Sequence, residues 1–90
     1  MEVLKTKNYT RSYEGEEFIV NYELYKVDDD VYTIEATGEW PDGDEYFHSF
    51  NIYTDENEVE DYDGICELNK TDIAFIQFCG FSIDEDFFID

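Results

Sequence analysis

The sequence predicts an α+β domain, an antiparallel β-meander of three to four strands with one short α-helix packed on it. Three observations predict it. Alternation of apolar and polar side chains recurs over residues 17–27, 31–40 and 45–54. Strong turn signals separate these runs. A later apolar run, residues 73–79, is bracketed by residues suited to helix ends. At 90 residues there is room for one domain, spanning the whole chain.

In the first run Phe18, Val20, Tyr22 and Leu24 share one face, and Ile19, Asn21, Glu23 and Tyr25 share the other. Its β-branched and aromatic content favours a strand. One wholly apolar face beside a mixed one fits an antiparallel sheet with a single solvated side. Asp28, Asp29 and Asp30 then form a turn. In the second run Tyr32, Ile34, Ala36 and Trp40 point one way, and Thr33, Glu35, Thr37 and Glu39 the other. Pro41-Asp42-Gly43-Asp44 follows as a turn, because proline presets φ and glycine accepts positive φ. The third run sends Tyr46, His48, Phe50 and Ile52 to the core. Phe47 and Tyr53 go to the outer face with Glu45, Ser49 and Asn51.

Residues 55–64 are nearly pure acid and read as an exposed loop, after which 65–68 form a candidate short strand. Asn69, with Asp72 three positions later, resembles a helix N-cap pair, and Gly80 suits the C′ position. The helix between them would be short and mostly buried; a buried strand is the alternative, since so brief an apolar run does not decide by period. Residues 81–90 read as an edge strand or an acidic tail. The expected core is Phe18, Val20, Tyr22, Leu24, Tyr32, Ile34, Trp40, Phe50, Ile52, Ile73, Ile76 and Phe78.

Charge sets the limits on function. There are 25 acidic residues against 5 basic ones, a net charge of -20, yet 19% of the chain is aromatic. Acidic disordered segments are poor in aromatics, so this is a folded domain with a negative surface. Its cations are too few for a basic patch, which excludes direct nucleic-acid binding and docking on an anionic membrane. No apolar stretch approaches the roughly 20 residues of a membrane span, and the N-terminus lacks a signal-peptide core. A cytoplasmic location is therefore expected. Cys66 and Cys79 are too few for a disulfide scaffold and read as partly buried thiols.

No catalytic constellation stands out. Acids are so frequent that any carboxylate pair would pass as an acid/base dyad. His48, the single histidine, lies in a strand and reads as structural or exposed. There is no nucleophile elbow, papain-type cysteine signature or glycine-rich phosphate loop. EF-hand spacing fails: with Gly64 at loop position 6, Val59 and Lys70 occupy positions 1 and 12. With Gly43 there, Gly38 and Trp40 occupy positions 1 and 3. Cys66, Cys79 and His48 lack the close pairing of zinc ligands. The expectation is a non-enzyme with no cofactor and no specific metal site.

A soluble domain needs a net charge of only about 2–8 in magnitude. The excess here repels itself and calls for a reason. Carboxylates arrayed on a sheet can occupy a groove built for phosphates, because residues i and i+2 of a strand lie roughly 6–7 Å apart on one face. Glu35 and Glu39, with Glu23 and Glu45 on neighbouring strands, suit such an array. The acidic turns extend it, giving a candidate partner-binding set of Asp28, Asp29, Asp30, Glu35, Glu39, Asp42, Asp44, Asp55, Glu56, Glu58, Glu60, Asp61 and Asp63. Tyr25, Phe47 and Tyr53 join it as exposed aromatics able to make base-like contacts.

In size, acidity and aromatic content the chain resembles the small DNA-mimic inhibitors encoded by phages and mobile elements, among them anti-restriction and anti-CRISPR proteins. The resemblance implies an inhibitor that blocks the DNA- or RNA-binding site of a basic nucleic-acid-binding protein or nuclease complex in the host cytoplasm. The sheet of aromatics and acids is also similar in kind to that of ribonuclease-type bacteriocin immunity proteins. That likeness implies the alternative, an immunity protein or antitoxin neutralising a basic nuclease toxin through fast electrostatic steering. Halophilic adaptation is a third source of acidity, countered by the many Phe, Tyr and Ile residues and by the use of Lys for most cations. Phe47 and Tyr53 on an outer face also suit a homodimer contact.

Overall fold

The computed structural model describes residues 2–55, 58–61 and 68–81; for 58, 60 and 61 it describes the backbone alone. Strands β1 (Val3–Tyr13), β2 (Glu16–Asp28), β3 (Val31–Glu39), β4 (Glu45–Tyr53) and β5 (Glu58–Asp61) precede helix α1 (Lys70–Phe78). The strands lie in sequence order, each antiparallel to the next. The fold is thus α+β: β1–β4 form a four-stranded meander, and the short β5 adds to its edge.

Hydrophobic alternation does not mark β1. Its residues alternate cation or aromatic with Thr, Asn and Ser: Lys5, Lys7, Tyr9 and Arg11 against Thr6, Asn8, Thr10 and Ser12. Pairing with β2 supplies what its own sequence lacks. The hairpin turns on Glu14 and Gly15, both at positive φ, as a two-residue type I′ turn requires.

The expectation of a loop over residues 55–64 is corrected by β5. Val59 pairs with Ile52 and is buried, while the acids flanking it in sequence hide the strand from a composition-based reading. Glu56, Asp63, the candidate strand residues 65–67 and the tail residues 82–90 lie outside the described residues.

One face of the sheet carries the core. Phe18, Val20, Tyr22 and Leu24 of β2 meet Ile34 and Ala36 of β3, Tyr46, Phe50 and Ile52 of β4, and Phe75 and Ile76 of α1. The Tyr22 and Phe75 rings stack with centroids 5.2 Å apart, and Tyr9 sets its edge against both. Tyr32, Trp40 and Ile73 pack at the margin of this core. Phe78 does not join it: it is 46% exposed, two positions beyond the buried Asp72–Phe75–Ile76 stripe, and the ammonium groups of Lys5 and Lys7 sit over its ring.

The helix ends as its sequence proposes. The Asn69 side chain accepts from the Asp72 backbone N–H, and the Asp72 carboxylate accepts from the Asn69 N–H, closing a capping box. At the other end Gly80 adopts φ 96°. Its N–H bonds the Gln77 carbonyl and that of Phe81 bonds Ile76, a Schellman motif that satisfies the last carbonyls. Among the described residues no helix is long and apolar enough to cross a membrane.

Candidate functional site

The two faces of the sheet carry different charge. Register with β2 puts Lys5, Lys7 and Arg11 in the rows of Leu24, Tyr22 and Phe18, on the helix side. Lys26 shares the helix-side row of Tyr32 and Ile52, and Lys70 opens α1 itself. All five cations of the sequence therefore lie on the helix side. The N-terminal three are held over rings: Lys5 and Lys7 over Phe78, Lys7 over Tyr9, and Arg11 over Phe18 and Tyr46. Arg11 Nη1 also donates to the Tyr46 hydroxyl at 2.9 Å.

Among the described residues the open face has no lysine or arginine. Across its middle runs the row Thr6–Glu23–Glu35–Ser49, and beside it the row Asn8–Asn21–Thr37–Phe47. Glu23 stands directly opposite Glu35, and Glu39 directly opposite Glu45. Directly opposed partners have Cβ atoms about 4.5–5.5 Å apart, and like charges in such pairs repel. These are the four glutamates the sequence suggested as an array, and the register brings them together as two like-charged pairs.

In the row beside the central pair lies Tyr25, whose hydroxyl donates to Glu23 Oε1 at 3.1 Å. Desolvation, then the neighbouring Glu23 and Glu35 carboxylates, raises its pKa above the ordinary phenol value. Tyr25 is thus half-buried and engaged with carboxylates, rather than a free stacking surface. Tyr53 is half-buried as well. Phe47 is the open aromatic of the three at 59% exposure, and Ile19, 62% exposed on the face where alternation put it, was not among the candidate contact residues.

The acidic turns divide between the two ends of the sheet. Asp28, Asp29 and Asp30 lie at the β2–β3 end, tied to the β4 exit by the Thr54 N–H donating to the Asp30 carbonyl at 2.9 Å, with Asp55 next in sequence. Asp42 and Asp44 lie at the opposite end, where Asp42 Oδ1 accepts from the Asp44 N–H. Glu58, Glu60 and Asp61 fall on β5, and Glu56 and Asp63 are among the residues not described. Nine residues of strand separate the ends, about 30 Å, so the two glutamate pairs link two terminal acid groups along a stripe.

Sequence reasoning missed a cavity at the Asp42 end, about 280 Å³, walled by Tyr13 and Trp40 and bordered by Glu14, Glu16, Asp42 and Asp44, with Pro41 between. The signal for it was the glycine of Tyr13-Glu14-Gly15-Glu16, which marks a hairpin turn.

Among the described residues, one polar cluster with catalytic-looking members joins the helix to the sheet. Asp72 is fully buried, and its Oδ1 accepts from the Tyr22 hydroxyl at 2.5 Å. Its Oδ2 accepts from the Asn69 N–H at 3.1 Å and lies 3.2 Å from His48 Nδ1. Thr71 and Tyr22 hydroxyls meet at 2.8 Å. The carboxylate is occupied in fastening the helix N-terminus to the sheet. Among the described residues no group of His, Cys, Asp and Glu is arranged to hold a metal ion.

No family model, no curated protein and no solved structure matches the chain.

Proposed function

We propose that the chain is an acidic nucleic-acid mimic, an inhibitor that binds and blocks the DNA- or RNA-binding site of a nucleic-acid-processing protein. The reading is of an anti-defence protein of anti-CRISPR or anti-restriction type, acting in the host cytoplasm by binding alone. The observation that carries it is the partition of charge: all five Lys and Arg residues lie on the helix side, and the open face bears opposed glutamate pairs with no lysine or arginine beside them among the described residues. Stability alone gives no reason to oppose Glu23 to Glu35 and Glu39 to Glu45, because each pair costs free energy in the unbound chain. A cationic groove would convert that cost into binding. The stripe of about 30 Å matches the rise of about nine base pairs at 3.4 Å each.

The exposed Phe47, amid those acids, favours a second reading, an immunity protein that anchors an aromatic side chain in a nuclease toxin.

The test is capture of host proteins from nuclease-treated lysate on the tagged chain, with and without excess duplex DNA. It is repeated with Glu23, Glu35, Glu39 and Glu45 all changed to Gln. A basic nucleic-acid-binding protein that DNA displaces, and that the quadruple variant loses, is the expected result. Its nucleic-acid binding should be inhibited by the wild-type chain. A nuclease retained against DNA would establish the immunity reading instead. Retention that survives the quadruple change would overturn mimicry.

A further inference from the structure

We propose that the cavity between the β1–β2 and β3–β4 turns receives one arginine side chain of the partner, its guanidinium against Trp40 and Tyr13 and its charge met by Glu16 and Asp42. The proposal rests on the reading above only in assigning that arginine to a partner protein.

Size and shape come first. A cavity of about 280 Å³ lies just below the roughly 300–1,000 Å³ of small-molecule sites, so it suits one side chain better than a cofactor. The Trp40 and Tyr13 rings meet at 65° with centroids 5.1 Å apart, making a flat-walled corner. Phe18 and Tyr46 pack against Trp40 at 5.0 and 5.2 Å and fix that wall.

Chemistry then narrows the ligand. Aromatic faces beside carboxylates attract a cation, and most strongly one that is planar and weakly hydrated. Guanidinium has both properties and can also bond a carboxylate through two N–H groups, whereas the lysine ammonium is compact and strongly hydrated. A metal ion is the poorer fit, because among the described residues no three ligating side chains converge.

The same ring cluster already takes a guanidinium within the chain. Arg11 lies 5.8 Å from the Phe18 centroid and 5.5 Å from that of Tyr46, the two rings that back Trp40. The cavity places a second guanidinium site against Trp40, which those two rings back, this one bordered by acids. Arginine is also the residue with which nucleic-acid-binding proteins commonly grip phosphates.

Trp40 is the only tryptophan, so its fluorescence reports on the cavity directly. The free chain is titrated with Nα-acetyl-arginine amide at constant ionic strength, with Nα-acetyl-citrulline amide as the uncharged isostere. The expected result is a saturable change with arginine and at least fivefold weaker binding of citrulline. Glu16→Gln with Asp42→Asn should weaken arginine binding about tenfold or more. Asp29→Asn with Asp30→Asn, which removes as many charges from the far end of the sheet, should weaken it less than about twofold. Glu14→Asn puts a residue at ease with positive φ in the turn. It should stabilise the fold yet still weaken binding, which a purely structural role would not produce.

Equal binding of citrulline, equal loss in the two double variants, or the same saturable change with calcium chloride would overturn the proposal. Arginine binding without DNA-displaceable capture would overturn the inhibitor reading and leave the cavity assigned. DNA-displaceable capture without arginine binding would do the reverse.

Discussion

Asp72 of α1 holds Tyr22 of β2: the tyrosine hydroxyl donates to the aspartate at 2.5 Å, and both side chains are fully buried. One carboxylate thus caps the helix, bonds the sheet and faces His48 Nδ1. A buried carboxylate is tolerated only when its oxygens are satisfied, and here both are.

Asp72→Ala is therefore expected to cost about 3 kcal/mol, from the lost cap and the lost charge-assisted hydrogen bonds. Asp72→Asn keeps an acceptor and should cost less, about 1–2 kcal/mol. Urea unfolding followed by far-ultraviolet circular dichroism checks both, with the midpoint moving and the slope unchanged.

Gly38 of β3 pairs with Val20 of β2. A Cβ placed there would stand 2.5 Å from the Ile19 carbonyl oxygen, a backbone atom that cannot swing aside. Gly38→Ala should destabilise by about 1–3 kcal/mol, as overpacking does. Thermal unfolding of this single variant tests it; a melting temperature equal to that of the parent would show that the strands can part at no cost.

Opposed glutamates predict a salt response. Sodium chloride raised from low to moderate concentration should raise the melting temperature of the free chain, because it screens repulsion across the open face. Glu45→Lys, facing Glu39, replaces a repelling pair with an attracting one and should stabilise by about 0.2–1 kcal/mol. The same change should weaken capture of the partner, so stability and binding would move in opposite directions.

Alkaline pH should unfold the chain. Burial, reinforced by the Asp72 charge, raises the Tyr22 pKa well above its ordinary 10.0, and burial pushes the Cys79 thiol from 9.0 up to about 11. Both groups are favoured neutral in the fold. Their contribution is complete below the unfolded values and is lost as pH rises from about 9 through the folded ones. The melting temperature should fall over that window. The fall should be shallower in Tyr22→Phe with Cys79→Ala, whose absolute stability is lower. Absorbance at the tyrosinate band should show one tyrosine ionising only with unfolding.

The residues show how much of this was legible in advance. Alternation along 17–27, 31–40 and 45–54 named the strand faces, because a strand buried on one side must place apolar residues at every second position. Asn69, Asp72 and Gly80 marked the helix ends, because capping is local chemistry. β1 stayed hidden because its helix-side residues are Lys, Tyr and Arg, whose stems and rings cover the core edge while their polar ends reach solvent. β5 stayed hidden because one buried valine among acids does not make a period.

The sequence by itself determined the α+β meander, the excess of negative charge and the inward faces of β2, β3 and β4. These follow from composition and from the two-residue repeat of a strand. Only the tertiary structure decided that every lysine and arginine falls on the helix side, that Glu23 meets Glu35 and Glu39 meets Glu45, and that two distant turns border a cavity beside Trp40. The physical reason is register: a shift of one residue in any strand exchanges its faces, and register is set by the packing of the whole sheet.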